Sequence, residues 1–303
     1  MKNVLKKIVK KTFDFAFCDY EKRIQNTNNN VLNVLNNQVS QIEQRRLFLF
    51  YKDLLNNNKN FPDIKDVGFR VYSQNDEDGI LLYLFSLIGF ESKKCVDIAY
   101  SSPNGANTTN LLTNWGFTGL LVCGAEGEQK SAEKFFSNHP DTVIYPPKIV
   151  HKWVTAENVN EILLENGVNG SIDFLSLDMD GVDYWIWNSL KVVEPRVVVV
   201  EFHNIWGDKK AVTVPYKHDF NRFDVHEDFM GAPLPAYVKL AEKKGYRLVA
   251  CNKYGFNAFF LKKGIAEGII PTISMKDCLA HPQALDGIKN RLPAVENLDW
   301  LEV

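Results

Sequence analysis

From residue 94 to residue 262, short apolar runs alternate with amphipathic stretches of helical period, and this alternation decides the fold class. The runs "KCVDIA", "TGLLVCG", "SIDFLSLD" and "RVVVVEF" are apolar enough to be buried on both faces, as strands inside a parallel sheet are. Between them "NTTNLLTNW", "EQKSAEKFFSN", "TAENVNEILLENGV" and "VDYWIWNSL" read as helices, and "DTVIYP" reads as a further short strand. Strands and helices in this order predict a mostly parallel sheet covered on both faces. "PAYVKLAEKKGY" is a helix with Gly245 at its stop. "YRLVACN" and "NAFFLKK", joined by "KYGF", predict a C-terminal antiparallel hairpin. The fold class is therefore α/β and Rossmann-like, with an N-terminal helical segment in front.

That segment spans residues 1–65, and the α/β domain spans 66–303. In "MKNVLKKIVKKTFDFAF", Val4, Leu5, Ile8, Val9 and Phe13 share one helical face, with lysines largely on the other. Such a basic amphipathic helix, over residues 2–17, suits an anionic membrane surface; docking on its own domain or on a second copy is the alternative. Leu32, Leu35, Val39, Ile42 and Leu49 then keep a spacing of three and four, broken by Arg46. This narrow seam is a second route to a homo-oligomer. The domain opens with "SQNDEDGILLYLFSLIGF", a helix that Ser73 or Asn75 would cap.

Composition removes several classes of function. A formal net charge of −2 gives no general attraction to nucleic acid, so none is expected as a partner. Five cysteines without a CxxC pair read as buried, reduced thiols. No apolar run approaches the ~18 residues that span a bilayer, and lysines interrupt the first apolar residues as no signal peptide does. The expectation is a cytoplasmic protein, in peripheral contact with the inner face of the membrane if the basic helix binds lipid.

In sheets of this kind ligands bind beyond the C-terminal strand ends. Four stretches lie there. After the first strand come Asp97, Ala99, Tyr100, Asn107 and Thr108, where a cofactor loop belongs. After the second comes Glu126, an acid placed to take a ribose hydroxyl. After the fourth come Asp178, Asp180 and Asp183; strand alternation would point Asp178 and Asp180 the same way. Carboxylates so close require a cation or a shared proton, and an aspartate that caps the next helix is the bland alternative. After the fifth come Glu201 and His203, on one face by the same alternation. Asp178, Asp180, Glu201 and His203 could together ligate Mg²⁺ or Mn²⁺, or His203 could act as a base. No GxGxxG follows the first strand, which speaks against a nicotinamide enzyme. The long stretch "AVTVPYKHDFNRFDVHEDFMGAPLP" exceeds an ordinary connection and reads as a substrate flap, with Tyr216, His218 and His226 as its polar residues.

Taken together, "SQNDEDGIL", "NTTNLLTNWGFTGLLVCG", "TAENVNEIL", "FLSLDMDGVDYWIWNSL", "RVVVVEFHN", "AVTVPY", "GAPL" and "GYRLVACNKYGFNAFFLKK" resemble the FkbM-type S-adenosylmethionine-dependent methyltransferases. The branch found among bacterial surface-glycan genes is the most similar. The resemblance covers roughly residues 70 to 265. It implies the class I methyltransferase sheet, S-adenosylmethionine held by the Asp97 loop, and O-methylation of a sugar hydroxyl on a nucleotide sugar or glycan. It would assign Asp180 and His203 to catalysis. The chain departs from the family at two glycines of the first loop, where Ala99 and Pro103 stand, and at Cys123, where the family has an acid. Those departures leave a second reading: a member that has lost catalysis and binds or scaffolds glycan-assembly partners.

Overall fold

The computed structural model describes residues 40–303. The basic helix, most of the apolar seam and Cys18 lie outside the described residues. The chain divides into two units between Phe50 and Tyr51, and the second carries the whole sheet.

The main sheet has seven strands. They are β1 (Lys94–Ile98), β2 (Thr118–Cys123), β3 (Lys148–His151), β4 (Gly170–Leu177), β5 (Val193–Glu201), β7 (Tyr246–Cys251) and β8 (Asn257–Lys262). Their order across the sheet is β3-β2-β1-β4-β5-β8-β7. The first five are parallel. Strand β8 lies antiparallel between β5 and β7, which makes the predicted hairpin. The result is a Rossmann-like, mostly parallel sheet that ends in an antiparallel hairpin. Helices α1 (Glu77–Ile88), α2 (Thr109–Asn114), α3 (Glu126–Asn138), α4 (Val159–Glu165), α5 (Asp183–Ser189) and α6 (Leu234–Lys244) fall where the amphipathic stretches predict them. Helix α6 ends on Gly245 at φ 84°, a left-handed position that suits glycine.

Central burial matches the apolar runs. Val197 to Val200 are fully buried, as are Phe174, Leu175 and Leu177 on the neighbouring strand. The stretch "DTVIYP" is not a strand: residues 141–145 are turns and bends, and β3 begins at Lys148. Pro146 and Pro147 have no N–H to donate to a ladder, so pairing starts only beyond them. The N-cap of α1 is Asp76, in place of Ser73 or Asn75, although the Ser73 hydroxyl still accepts the Asp78 N–H at 3.2 Å. The acids of the first turn serve the preceding loop. One carboxylate oxygen of Asp78 accepts the N–H groups of Val71, Tyr72 and Ser73 at 2.7–2.8 Å. Gly79 lets that loop lie against the helix, since a Cβ there would sit 2.2 Å from the Phe69 nitrogen.

Residues 202–233 leave the sheet after β5 and return at α6. Within them the short β6 (Val212–Thr213) pairs with β9 (Leu301–Glu302) near the C-terminus. Two further helices, α7 (Met275–Cys278) and α8 (Pro282–Asn290), precede β9. Cys95, Cys123 and Cys278 are buried and Cys251 partly so; all four are free thiols. No helix among the described residues is long and apolar enough to cross a membrane.

One buried charge pair sits beneath the sheet. Asp173 on β4 is fully buried and receives the N–H groups of Glu91, Ser92 and Lys93, as well as Nη1 of Arg196 at 2.9 Å. Arg196 also caps α1 by donating to the carbonyls of Ile88 and Gly89. Removing the carboxylate would leave three amides unpaired and the buried guanidinium with only the exposed Glu91 as counter-charge. Asp173→Ala should therefore cost about 3–5 kcal/mol of unfolding free energy in a urea titration. A loss under about 1 kcal/mol, the size of a surface ion pair, would show that the pair is not what joins α1 to the sheet.

Candidate active site

The register between β4 and β5 builds the centre of the site. Leu177 pairs with Val200, so the next residues, Asp178 and Glu201, emerge side by side. Their carboxyl oxygens lie within 4.8 Å of each other. Burial and mutual repulsion push Glu201 well above the ordinary carboxylate range, and burial together with neighbouring acids pushes Asp178 up to about 7. The pair holds a proton at neutral pH unless a cation replaces it.

Asp180 joins them. Ligand oxygens of Asp178, Asp180 and Glu201 all lie within 4.8 Å of one another. Beyond Leu177 the chain is no longer a strand, so Asp180 arrives by a turn at φ 54° and not by alternation. Asp183 makes that turn. Its carboxylate accepts the N–H groups of Met179 (2.6 Å) and Gly181 (3.0 Å), and it is the first residue of α5. It is the bland reading of that cluster: a buried turn-former.

On the other side stands the loop after β1. Asp97 is buried, accepts the Thr108 hydroxyl at 2.6 Å, and is pushed up to about 7 chiefly by burial. Thr109 meets the Tyr100 hydroxyl at 3.3 Å, and Asn107 donates to Ser176 at 3.2 Å. The carbonyl oxygen of the Asn107 side chain is buried without a partner. Ala99 holds φ 69°, the left-handed conformation a glycine takes freely. The loop thus keeps its close-approach geometry with an alanine in place. Beyond Pro103, the Gly105 N–H ties the loop to the Tyr72 carbonyl at 2.6 Å.

These walls enclose a cavity of about 500 Å³, lined by Asp97, Ala99, Tyr100 and Asn107 on one side and by Asp178, Asp180 and Glu201 on the other. A smaller apolar cavity of about 90 Å³ adjoins it through Ala99, Gly124 and Met179, and is closed by Trp153, Val154 and Phe220. The long insertion after β5 forms the roof. Phe220 packs on Gly181, where a Cβ would come within 2.7 Å of its ring. Trp153 donates to the His218 carbonyl at 2.7 Å, and Arg222 pairs with Asp180 at 2.7 Å. A larger groove along β7, about 620 Å³, is lined by Tyr246, Arg247 and Leu248, away from all these residues. Two guanidinium nitrogens of Arg247 there donate to the carbonyls of Ile265 and Ile270.

Three expected residues are not on the wall: Thr108, fully buried with its hydroxyl given to Asp97, and His203 and Glu126. Strand β5 stops at Glu201, and the backbone N–H of His203 turns to the Ala232 carbonyl, so alternation no longer sets its face. Its ring is buried and Nε2 donates to the Asp228 carbonyl at 2.9 Å. Burial lowers its pKa to about 4, so at neutral pH it is an uncharged strut, not a base or ligand beside the acids. Asp228 in turn receives Arg291 of the C-terminal segment. Glu126 is exposed at the start of α3 and pairs with Lys130. Helical phase shifts the position by two residues: Glu128 reaches back to the Ala125 N–H at 2.9 Å and lines the cavity. Sequence reasoning also missed Gln74, Ser176 and Arg222 on the wall. Of the flap residues it named, Tyr216 bonds Glu157 and His226 bonds the Asp228 amide, so both are structural.

No family model matches the chain, and no curated protein matches it. Solved structures do. The O-methyltransferase of Bacillus cereus in complex with SAH aligns over 72% of this chain and 89% of its own, at 12% identity and TM-score 0.41. An O-methyltransferase family protein of Burkholderia thailandensis aligns over 75% and 72%, at 10% identity and TM-score 0.38. The glycopeptide N-methyltransferase MtfA with sinefungin aligns over 67% and 91%, at 10% identity and TM-score 0.38. At such distances the fold rests on the strand order itself.

The strained alanine gives a direct check. A left-handed alanine costs about 1–2 kcal/mol, of which glycine's extra chain entropy returns about half. Ala99→Gly should raise the unfolding free energy by about 0.5–1 kcal/mol in guanidinium titration. An equal or lower stability would mean that Ala99 does not hold the left-handed conformation in solution.

Proposed function

We propose that the protein is an S-adenosylmethionine-dependent O-methyltransferase acting on a sugar hydroxyl, as the FkbM-type resemblance implies. The observation that carries this reading is one cavity at the C-terminal strand ends, with the Asp97 loop on one wall and a half-buried acidic pair on the other. Bound there, the donor would supply an electrophilic methyl group and two positive charges. Asp97, Ala99, Tyr100 and Asn107 would hold its amino-acid end, with Thr108 fixing Asp97 from behind and Glu128 in place of Glu126 toward the ribose. The apolar cavity under Phe220 suits a flat base, and opens only if the roof shifts, since about 90 Å³ is less than a purine fills.

A sugar hydroxyl is a poor acid, so transfer needs a proton acceptor aligned with it. The Asp178–Glu201 pair suits that role, because burial leaves it basic near neutral pH and the second carboxyl stabilises the proton taken up. Asp180, closer to solvent, would orient the acceptor. Asp178, Asp180 and Glu201 also form an oxygen set that fits Mg²⁺ or Mn²⁺, with His203 excluded, and such an ion would make a coordinated hydroxyl easier to deprotonate.

Two measurements test this reading. Asp97 and Asp178 carry protons below about pH 7, and a cationic donor displaces them. Donor affinity should rise as pH increases from 6 to 7, by at most about tenfold for each proton released, and level off above that. Calorimetric titration in buffers of different ionisation enthalpy reads that release directly. Binding that strengthens as pH falls would contradict it, and no binding at all would promote the scaffold reading. Glu201→Gln should cut methyl transfer to a nucleotide-sugar panel by roughly 10²- to 10⁴-fold, with donor affinity within about tenfold of the parent. An unchanged rate would remove the acidic pair from catalysis.

A further inference from the structure

Among the described residues on the wall of the acidic cavity, Arg222 alone is basic. It belongs to the insertion, and its setting is built. Nη1 donates to Asp180 at 2.7 Å and meets the Met230 sulfur at 3.0 Å, while the guanidinium lies 4.9 Å from the Phe223 ring centre. These contacts fix the plane and occupy one nitrogen. Nε and Nη2 make no hydrogen bond among the described residues, and the side chain is 29% exposed. What remains is a two-donor edge of fixed orientation, the shape that matches a carboxylate or phosphate.

The surroundings sharpen the point. With Asp178, Asp180 and Glu201 on the same wall, an acceptor bearing negative charge would be repelled unless a cation met its charged group. A neutral sugar would need no such device. We propose that Arg222 is a specificity-determining residue that selects an acceptor sugar carrying an oxyanion, a phosphate or a carboxylate, and sets the hydroxyl toward the acidic pair. This rests on the methyltransferase reading above. Asp180 then acts through Arg222, holding the fork in place. The donor has a carboxylate too, so the test must separate the two sources.

The experiment uses the full chain saturated with S-adenosylhomocysteine and titrated with glucose 1-phosphate, glucuronate and glucose. At least one charged sugar should bind about tenfold or more tighter than glucose, the size of one charge-assisted hydrogen bond. It should also slow phenylglyoxal labelling of Arg222, read by peptide mass spectrometry. Arg222→Gln should reduce the charged sugar to the level of glucose, and Arg222→Lys should fall between, because it keeps the charge and loses the fork. Affinity for S-adenosylhomocysteine should stay within about threefold, well under the loss of a charge-assisted bond. The proposal fails if neither charged sugar exceeds glucose, if neither protects Arg222 from labelling, or if Arg222→Gln weakens S-adenosylhomocysteine instead, which would assign the fork to the donor. The labelling arm needs no variant, so an unfolded Arg222→Gln protein leaves the test intact. If the unaltered chain does not bind S-adenosylhomocysteine, the methyltransferase reading fails, a different result from any of these.

Discussion

The adjacent emergence of Asp178 and Glu201 governs the site. Two parallel strands held in register from Gly170 and Val193 onward must release their next residues together. Both residues are acids, both are half-buried, and they do not both carry charge without a cation nearby. Everything around them answers that constraint. Asp183 folds the turn that brings Asp180 near, and Arg222 comes down from the insertion onto Asp180. The Asp97 loop faces them across the cavity with its own raised carboxyl group. A pocket so loaded with acidic protons favours positively charged ligands and releases protons when it takes them.

The polar groups that stabilise the fold lie elsewhere. Asp173 with Arg196 holds α1 to the sheet, and Asp78 with its three amides holds the loop before α1. His203, Asp228 and Arg291 tie the insertion to the C-terminal segment in the same way. Of the site acids, Asp97, Asp180 and Glu128 each also hold a neighbour, Thr108, Arg222 and the Ala125 amide, whereas His203, which looks catalytic by type, is wholly occupied in a structural bond.

Much of this was legible in the sequence, for a physical reason. Strands buried on both faces leave unbroken apolar runs, and a hairpin leaves two runs around a tight turn, so the sheet and its antiparallel end could be read directly. Asp97, Asn107, Asp178, Asp180 and Glu201 could be placed at one cavity because strand ends mark the ligand side of such sheets. What could not be read was where each strand stops. Alternation holds only within a strand, so it failed for His203, two residues past the end of β5. Helical phase likewise decided between Glu126 and Glu128. Arg222 left no local signal; it reaches the site from 42 residues beyond its partner Asp180, through a loop whose path depends on tertiary contacts. Ala99 was legible as a departure, but only the backbone reveals that the loop kept its glycine conformation.

What the acidic cavity holds decides between a methyltransferase and every other use of this fold. Equilibrium dialysis of the full chain against methyl-labelled S-adenosylmethionine at neutral pH asks this directly. The acidic pair and the Asp97 loop predict one labelled molecule retained per chain, displaced by S-adenosylhomocysteine and not by NAD⁺. No retention at millimolar donor, or displacement by NAD⁺ in its place, would contradict it.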